Sequence, residues 1–484
     1  MGRGKGAPGP FRKRRDRRSF LASFNPCLMR FLLLALLTAA PLVAQPVHDL
    51  TAYQAAATRI IESALADSAA FDRLAYFADT FGHRLSGSES LERSIDWVLA
   101  EMEEDGLENV RGEEVMVPHW VRGEESAALV EPRREDLPML GLGRSVGTPP
   151  EGITAEVLVV GSLEELEARS AEAEGKIVLF NVPFTTYSET VRYRSSGAGW
   201  AAKHGAVASL IRSVGPVSLQ TPHTGAMRYD DDQPKIPHAA LTIEGAELLQ
   251  RFQDRGERIV VTLKMEAETL PDALSRNVVG ELVGREFPEE VVVIGGHIDS
   301  WDVGQGAMDD AGGVVVTWEA VRLLHDLGLR PRRTIRVVGW TNEENGLRGA
   351  NAYRDQHKDE LDGHVLAVEI DGGVFAPLGF GVTATDSTFA RLEPIADLMA
   401  PVLETDATQP VGIVRGGGGA DIGPIMAEGV PGAGLRVVND KYFWYHHTPA
   451  DTVDKLDPHE VQRCVAAMAI LAYVVAEMPE RLSR

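Results

Sequence analysis

Four clusters of side chains that bind metals or transfer protons lie in the carboxyl-terminal half of this 484-residue sequence. In chain order they are His297 with Asp299 and Asp309, Glu343 with Glu344, Asp371, and His446 with His447. Imidazole and carboxylate groups together are typical ligands of zinc and similar divalent cations. Taken singly, a histidine near a strand end is more often a satisfied core group, and an acidic pair is more often a solvated turn. A metal centre is therefore expected only if the fold brings the clusters together.

Three of the clusters directly follow short runs rich in β-branched residues, which predict buried strands. The predicted strands span residues 291–294, 334–340 and 365–370, and predicted helices at 313–327, 349–357 and 387–402 follow them. Strands that alternate with helices favour an α/β fold with a mostly parallel sheet and helices on both faces. The carboxyl ends of parallel strands lie at one edge of the sheet, where ligands bind. We therefore expect the clusters to converge at that edge.

Such a concentration of acidic groups requires compensating positive charge. Carboxylates that converge without it repel one another strongly, and divalent cations are the simplest way to neutralise them. The sequence contains no phosphate-binding loop, which disfavours the nucleotide-binding class, and its G-x-S-x-G pattern at Gly143 to Gly147 does not follow a predicted strand as a serine-hydrolase elbow would. A helical zinc motif that begins at His459 is incomplete, because Arg463 stands where its second histidine would be. The residues thus indicate a metal-dependent enzyme.

The four clusters lie in blocks of sequence that resemble the motifs of the co-catalytic zinc exopeptidases. The blocks read GGHIDSWDVGQGAMDDAGG, TNEENG, EIDGG and YHHTPADT, in this order. That family includes bacterial leucyl aminopeptidases, glutamate carboxypeptidase II and glutaminyl cyclases. Within it, HIDSWDVGQGAMDD and the double histidine are most similar to the branch of the plasma glutamate carboxypeptidases. The resemblance spans about residues 50–478, and four ordered motifs make it highly specific.

The resemblance implies that five side chains hold two zinc ions. Asp309 would bridge the ions, His297 and Asp371 would complete one site, and Glu344 and His447 would complete the other. Five side chains for two ions would leave room for a bridging hydroxide, as an open catalytic site requires. Manganese or cobalt would bind similar ligands, so the expectation of zinc rests on the family resemblance.

The resemblance also implies roles for the residues beside these ligands. Glu343 would be the general base, which takes a proton and later delivers it to the leaving amine. Asp299 would orient the imidazole of His297 from behind the metal. His446 would either steady the tetrahedral oxyanion or only pack in the site.

Three further expectations concern a single residue or a single peptide bond. The family places its ligand four residues before an acidic residue, which fits His447 and Asp451 rather than the preceding histidine. The family also implies a cis peptide bond between Asp309 and Asp310. Asp421, after a glycine run, either contacts a substrate amino group or caps a turn.

The amino terminus predicts a signal peptide over residues 1–44. A basic run is followed by an apolar stretch at 31–44 that ends in a small residue, which is typical of cleaved export signals. Arg17-Arg18 alternatively resemble a twin-arginine signal. An uncleaved anchor is disfavoured, because about 14 apolar residues fall short of the roughly 20 needed to span a bilayer. We therefore expect an exported protein, periplasmic or secreted.

The rest of the sequence predicts a peptidase domain interrupted by an insertion. Residues 45–117, with a helical pattern from 47 to about 103 that is broken at Gly82, would form its amino-terminal part, and 271–484 would form its catalytic part. Residues 118–270 alternate short strands and turns, which predicts an inserted β-rich domain that weakly resembles the protease-associated domain. The apolar last helix, at 458–478, is expected to dock on the protein rather than span a membrane.

Composition limits the possible partners. The formal net charge of −23 disfavours nucleic acid, because such a surface repels phosphates. Two cysteines exclude a disulfide framework. We expect a peptide substrate and no membrane span in the mature chain, and the resemblance suggests a homodimer.

These observations predict an exported binuclear zinc exopeptidase that hydrolyses dipeptides or short peptides. Alternatives within the family are an aminopeptidase of broad specificity and a cyclising acyltransferase of the glutaminyl cyclase type. A non-catalytic, receptor-like ectodomain is an alternative of another class. It is disfavoured because the sequence contains all five ligands and the base.

Overall fold

The structure, a computed structural model, describes residues 50–405 and 407–483, so the predicted signal peptide lies outside the described residues. The helices are α1 (Thr51–Ala66), α2 (Ala69–Phe81), α3 (Glu89–Glu104), α4 (Leu163–Ala168), α5 (Tyr187–Ala202), α6 (Ile243–Asp254), α7 (Gly312–Asp326), α8 (Arg348–Gln356), α9 (Asp386–Leu392), α10 (Ala396–Met399), α11 (Gly423–Ala427), α12 (Tyr442–Tyr445) and α13 (Pro458–Glu477). The strands are β1 (Glu108–Val121), β2 (Glu125–Glu131), β3 (Glu135–Leu137), β4 (Met139–Gly141), β5 (Ile153–Val160), β6 (Ile177–Phe180), β7 (Ala208–Arg212), β8 (His238–Leu241), β9 (Val260–Met265), β10 (Glu268–Leu282), β11 (Phe287–His297), β12 (Arg333–Trp340), β13 (His364–Glu369), β14 (Pro377–Thr383), β15 (Gly412–Arg415) and β16 (Gly432–Val437).

The first sheet has the strand order β1-β10-β12-β11-β13-β16-β14-β15. Its four central strands, β12, β11, β13 and β16, are mutually parallel, and antiparallel pairs lie on either side of them. Every residue of β12 and β13 is buried, as expected for parallel strands that are covered on both faces. The predicted α/β fold with a largely parallel sheet is confirmed.

The side chains of β11 alternate between two hydrophobic clusters on opposite faces of this sheet. Val292 and Ile294 belong to the larger cluster, to which α1, α2, α3, α7 and α13 contribute. Val291 and Val293 belong to the smaller one, with α8 and α11. Because successive strand residues point to opposite faces, a continuous apolar run is what a strand covered by helices on both sides requires.

Helix α13 lies within the larger cluster and packs against α1 and α7. By length and composition it is the one described helix that could cross a membrane, but 72% of its apolar window is buried inside the protein. A helix that is apolar over most of its surface is also typical of a protein core. Its packing is that of the docking helix expected from the sequence.

The second sheet has the strand order β3-β2-β9-β5-β6-β7-β8-β4 and is built from residues between β2 and β9. Strands β5 to β8 are parallel, with α6 on one face and α4 and α5 on the other. The sequence predicted β-rich structure here but missed the 16-residue helix α5. The predicted domain boundaries at 118 and 270 stay a prediction, and β1 and β10 of the first sheet extend across them.

Two predicted helices are interrupted in the structure. The helical region before Gly82 is divided into α1 and α2 at residues 67–68. The prediction of one helix over 387–402 is wrong, because α9 ends at Leu392 and short 3-10 turns containing Pro394 and Pro401 follow. Proline has no amide hydrogen to donate within a helix, so each proline limits the helical segment before it.

We expect Gly295→Ala to destabilise the first sheet, because a Cβ atom there would lie 2.0 Å from the Val338 carbonyl oxygen and 2.5 Å from the Trp340 ring. Overpacking of this kind costs about 1–3 kcal/mol of unfolding free energy. Gly339→Ala is the matched control in the adjacent strand, since its nearest contact would be an ordinary 3.5 Å. Urea unfolding in the presence of a chelator measures both without a contribution from metal. Equal stability of the two variants would contradict the prediction.

Candidate metal centre and active site

The carboxyl ends of three neighbouring parallel strands bring the predicted site residues to one edge of the first sheet. His297 is the last residue of β11, Glu343 and Glu344 follow β12, and Asp371 follows β13. His447 arrives at the same edge from the loop after α12. The convergence expected from the strand order is therefore present in the structure.

Asp309 lies between two imidazoles and directs one carboxylate oxygen toward each. His297 Nε2 is 3.1 Å from Asp309 Oδ1 and 3.4 Å from Asp371 Oδ1. His447 Nε2 is 3.4 Å from Asp309 Oδ2 and 3.0 Å from Glu344 Oε2. Each imidazole thus faces two carboxylates, one of which is shared. This is the arrangement that two adjacent cation sites with a common bridging ligand require.

His446 lies directly beside this centre. Its ring stacks on that of His447 with a centroid separation of 3.5 Å, and its Nε2 is 3.7 Å from Asp309 Oδ2. The ligating atoms of these three residues lie within 4.8 Å of one another, as do those of His297, Asp309 and Asp371. The geometry therefore offers His446, as well as Glu344, to a cation beside His447.

The donor set fits a divalent cation. Asp309 Oδ2 is buried and has no hydrogen-bond partner among the described residues. Burial, and then the charge of Asp309, raise the pKa of Glu344 well above its ordinary value. Burial, and then the neighbouring imidazole of His446, lower the pKa of His447 well below its ordinary value. A neutral imidazole, as at His447, beside carboxylates that lack counter-charge is the form in which these groups bind zinc.

Asp451 holds the turn that carries the central carboxylate. Its side chain accepts hydrogen bonds from the backbone N–H groups of Ala307 (3.1 Å), Met308 (2.8 Å) and Asp309 (3.2 Å). The peptide bond from Asp309 to Asp310 is cis, as the family resemblance implied. In the sequence, Asp451 only distinguishes between two candidate histidine ligands, and the spacing of residues does not show its contacts with this turn.

The neighbouring carboxylate of Asp310 connects β11 to the start of α7. It accepts from the backbone N–H of His297 at 3.1 Å and from that of Gly313 at 2.9 Å. A Cβ atom on Gly313 or on Gly296 would lie 2.3 Å from Asp310 Oδ2. These two glycines therefore leave the space that this buried carboxylate occupies.

Asp299 supports the site differently from the way the sequence predicted. His297 Nδ1 lies 2.9 Å from the backbone oxygen of Asp299 but 3.9 Å from its carboxylate. The carboxylate instead accepts from the backbone N–H groups of Glu343 (3.0 Å) and Glu344 (3.3 Å). The main chain of Asp299 thus orients the imidazole, and its side chain positions the glutamate turn.

Arg84 ties together the loops around the site. It is fully buried, and its guanidinium donates to the carbonyl oxygens of Ile298 (2.9 Å), Gln305 (2.7 Å) and Gly306 (3.0 Å). Burial lowers the pKa of Arg84 to about 10. No pattern in the sequence predicts these three contacts, because the carbonyl groups belong to residues more than 200 positions away.

A cavity of about 310 Å³ opens at this cluster. Six of the predicted residues line it (Asp309, Glu343, Glu344, Asp371, His446 and His447), together with Tyr187, Arg194, Tyr442 and Phe443. Tyr187 and Arg194 lie on α5, a helix that the predicted β-rich region does not include. A signal was present, because Thr186 and Glu189 have the T-x-x-E spacing of a helix start, and the Thr186 hydroxyl accepts from the Glu189 N–H.

Asp421 lies apart from this cavity lining. It is 1% exposed, and neither of its carboxylate oxygens has a hydrogen-bond partner among the described residues. Burial, and then the charge of Glu369, raise its pKa well above the ordinary value. The structure thus gives it neither a turn-capping bond nor a position in the lining.

Comparisons with known proteins agree with this geometry. Residues 277–472 match the model of peptidase family M28. Carboxypeptidase Q of Xenopus laevis is 49% identical to this chain over 90% of this chain and 92% of that protein, and the human carboxypeptidase Q is 49% identical over 87% and 88%. The solved structure of a peptidase M28 precursor from Shewanella amazonensis has a TM-score of 0.85 at 33% identity, and the match covers 90% of this chain and 98% of that one. A zinc aminopeptidase from Bacillus subtilis shares the fold, with a TM-score of 0.64 at 20% identity over 86% of this chain and 98% of that one.

We expect Asp451→Asn to weaken zinc binding about 10- to 100-fold, the usual effect of removing a group that holds a metal ligand in place. The substituted amide cannot accept from all three backbone N–H groups of the turn at Ala307 to Asp309. Asp454→Asn is the control, because Asp454 is exposed and bonded only to Thr452 and Lys455 among the described residues. Competition with a chromogenic chelator measures the affinities. Unchanged zinc affinity in Asp451→Asn would show that the turn needs no such support.

Proposed function

Because this chain belongs to peptidase family M28 and is a zinc-dependent metallopeptidase, we propose that it is an exported binuclear zinc exopeptidase of dipeptides or short peptides. The observation that carries this proposal is the position of Asp309, which directs one oxygen to His297 and the other to His447. A carboxylate shared in this way supports a pair of ions rather than a single one.

In this proposal the two zinc ions share Asp309, and their other ligands are separate. His297, Asp309 and Asp371 would hold one ion, and Asp309, Glu344 and His447 would hold the other. Zinc in such a site supplies Lewis-acid chemistry, which polarises a peptide carbonyl and lowers the pKa of water.

The hydrogen bond of His297 supports this assignment. His297 Nδ1 lies 2.9 Å from the carbonyl oxygen of Asp299. Since a carbonyl only accepts, this ring would carry its proton on Nδ1. This tautomer leaves Nε2, the nitrogen that faces the carboxylates, free to bind metal.

Glu343 would act as the general base. Its side chain lines the cavity, and its backbone N–H is fixed by Asp299 at 3.0 Å. Burial, and then the charge of Asp371, raise the pKa of Glu343 well above its ordinary value. A carboxylate with a raised pKa is a better proton acceptor, so Glu343 would take a proton from the attacking water and deliver it to the leaving amine.

The size of the site supports a small substrate. A cavity of about 310 Å³ is at the lower end of the range found for ligand sites. The loop at Trp301 is packed into the hydrophobic core of the second sheet, so that sheet closes one side of the site. Export rests on the basic and apolar segments within residues 1–44, and the homodimer rests on the family resemblance.

We expect Glu343→Gln to lower kcat by about 100- to 10,000-fold, because the amide cannot accept the proton. Zinc content should not change, since Glu343 is not assigned as a ligand. Glu428→Gln is the control, because that residue is exposed and outside the cavity. Hydrolysis of a dipeptide library and metal analysis of the same samples test both statements. Retained turnover in Glu343→Gln would mean that another group is the base.

We expect the ligand variants to differ in how many ions they lose. Asp309→Ala should lose both zinc ions on dialysis, because it removes the shared ligand. Asp371→Ala should retain the ion beside His447, since it removes a ligand of the other ion only. Metal content after dialysis against a weak chelator measures the two ratios. Identical zinc content in the two variants would argue against a bridging role for Asp309.

A further inference from the structure

Trp301 belongs to the loop that follows β11, but its side chain is buried in the hydrophobic core of the second sheet. It lies four residues after His297 in the sequence and is 2% exposed. Its ring packs in the cluster formed by the strands of the second sheet. A Cβ atom on Gly143, between β4 and β5, would lie 2.1 Å from the outer ring atom Cη2. The second sheet thus leaves a space that the indole fills.

Trp301 also contacts the site proposed for one of the two zinc ions. Its backbone N–H donates to Glu344 Oε1 at 3.2 Å, and the other oxygen of Glu344 lies 3.0 Å from His447 Nε2. The centroid of its ring is 5.6 Å from that of the His447 imidazole. Trp301 therefore contacts both of the ligands that are proposed for this ion alone.

The residue after Trp301 is held in the same direction. Asp302 accepts two hydrogen bonds from the guanidinium of Arg122, one of them from Nε at 2.8 Å, and these side chains are 14% and 10% exposed. Arg122 lies between β1 and β2 and also donates to the Thr224 hydroxyl at 3.2 Å. The backbone N–H of Thr224 in turn donates to the carbonyl oxygen of His447 at 2.9 Å. The loop of Trp301 and the loop of His447 are thus attached to the same side of the second sheet.

The ion proposed beside His297 has supports of a different origin. His297 Nδ1 lies 2.9 Å from the backbone oxygen of Asp299, and its backbone N–H donates to Asp310 at 3.1 Å. Its second ligand, Asp371, directly follows β13 of the first sheet. None of these groups belongs to the second sheet. The two proposed zinc sites therefore depend on that sheet to different extents.

We propose that Trp301 is a positioning residue through which the second sheet controls the zinc ion between Glu344 and His447, but not the ion beside His297. This inference rests on the proposed binuclear function and adds that its two metal sites can be lost separately. Groups that pack against metal ligands and hydrogen-bond to them fix the ligand geometry, and their removal lowers metal affinity. Here the packing of the indole in the second sheet holds the N–H group that Glu344 accepts from.

The first test is Trp301→Leu, which removes the ring but leaves the core apolar. We expect the affinity for one zinc ion to fall about 10- to 100-fold and the affinity for the other to stay unchanged. Zinc content after dialysis against a weak chelator should fall from two ions to one. Adding Asp371→Ala should then remove the remaining ion, whereas adding Glu344→Ala should not. These two combinations identify which ion depends on Trp301.

The second test approaches the same contact from the second sheet. Gly143→Ala changes no residue of the metal loop, but its Cβ atom would occupy the space of ring atoms Cη2 and Cζ3 of Trp301. It should therefore displace the indole and lower the affinity for the same ion. Trp301→Phe lacks these outer ring atoms, so adding it to Gly143→Ala should restore binding of the second ion. This rescue is measurable even if Trp301→Leu does not fold, and general destabilisation does not predict it.

Trp318→Leu is the matched control. Trp318 is also buried, and its ring N–H also has no hydrogen-bond partner among the described residues, but it lies on α7 in the larger cluster of the first sheet. The substitution should lower stability in urea, because it leaves a cavity in the core. It should leave both zinc ions bound.

The possible outcomes separate this inference from the proposed function. Unchanged zinc affinities in a folded Trp301→Leu protein, equal loss of both ions, or no rescue of Gly143→Ala by Trp301→Phe would overturn the role of Trp301 and leave the binuclear peptidase intact. A wild-type protein that binds fewer than two zinc ions, or binds two and hydrolyses no peptide, would instead overturn the proposed function.

Discussion

The burial of the Asp309 carboxylate between two imidazoles is the constraint on which the rest of the site depends. The residue is 4% exposed, and one of its oxygens has no hydrogen-bond partner among the described residues. A buried carboxylate in that state is strongly destabilising unless a cation neutralises it. The strands that carry His297 and Asp371, and the loop that carries His447, matter because they place further proposed ligands around that unbalanced charge. The fold thus holds in place a negative site that becomes stable on binding metal.

The two sheets contribute different groups to this site. The first sheet supplies the proposed ligands and base from strand ends, which are rigid because the strands are buried on both faces. The second sheet supplies the wall, through Tyr187 and Arg194 of α5 and the backbone of Thr224, which contacts His447. The catalytic groups that a family shares and the groups that determine substrate preference can therefore lie on different structural elements. This division is consistent with a peptidase fold in which substrate preference changes without disturbing the metal centre.

How far the sequence predicted the structure depended on the range of the interactions involved. The parallel sheet followed from β-branched runs, and the convergence of the clusters followed from the geometry of strand ends, because both are local patterns with a fixed spatial consequence. The cis bond at Asp309 followed only from the family resemblance. Helix α5 was missed because its sequence has few large apolar residues, and the contacts of Arg84 and Asp451 were missed because their partners are backbone groups far away in the sequence. The composition of a sequence and the spacing of its residues do not predict such contacts.

The supporting carboxylates explain how the site keeps its charge. Asp299, Asp310 and Asp451 each accept hydrogen bonds from backbone N–H groups, and none of them has an arginine or lysine within salt-bridge distance among the described residues. Arg84, the buried cation nearby, directs its guanidinium to carbonyl oxygens instead. A backbone N–H group positions a carboxylate but adds no full positive charge. If lysine or arginine side chains held these carboxylates instead, they would neutralise part of the negative charge of the cluster and weaken its attraction for a divalent cation. The backbone support therefore gives the site both rigid geometry and the excess negative charge that metal binding requires.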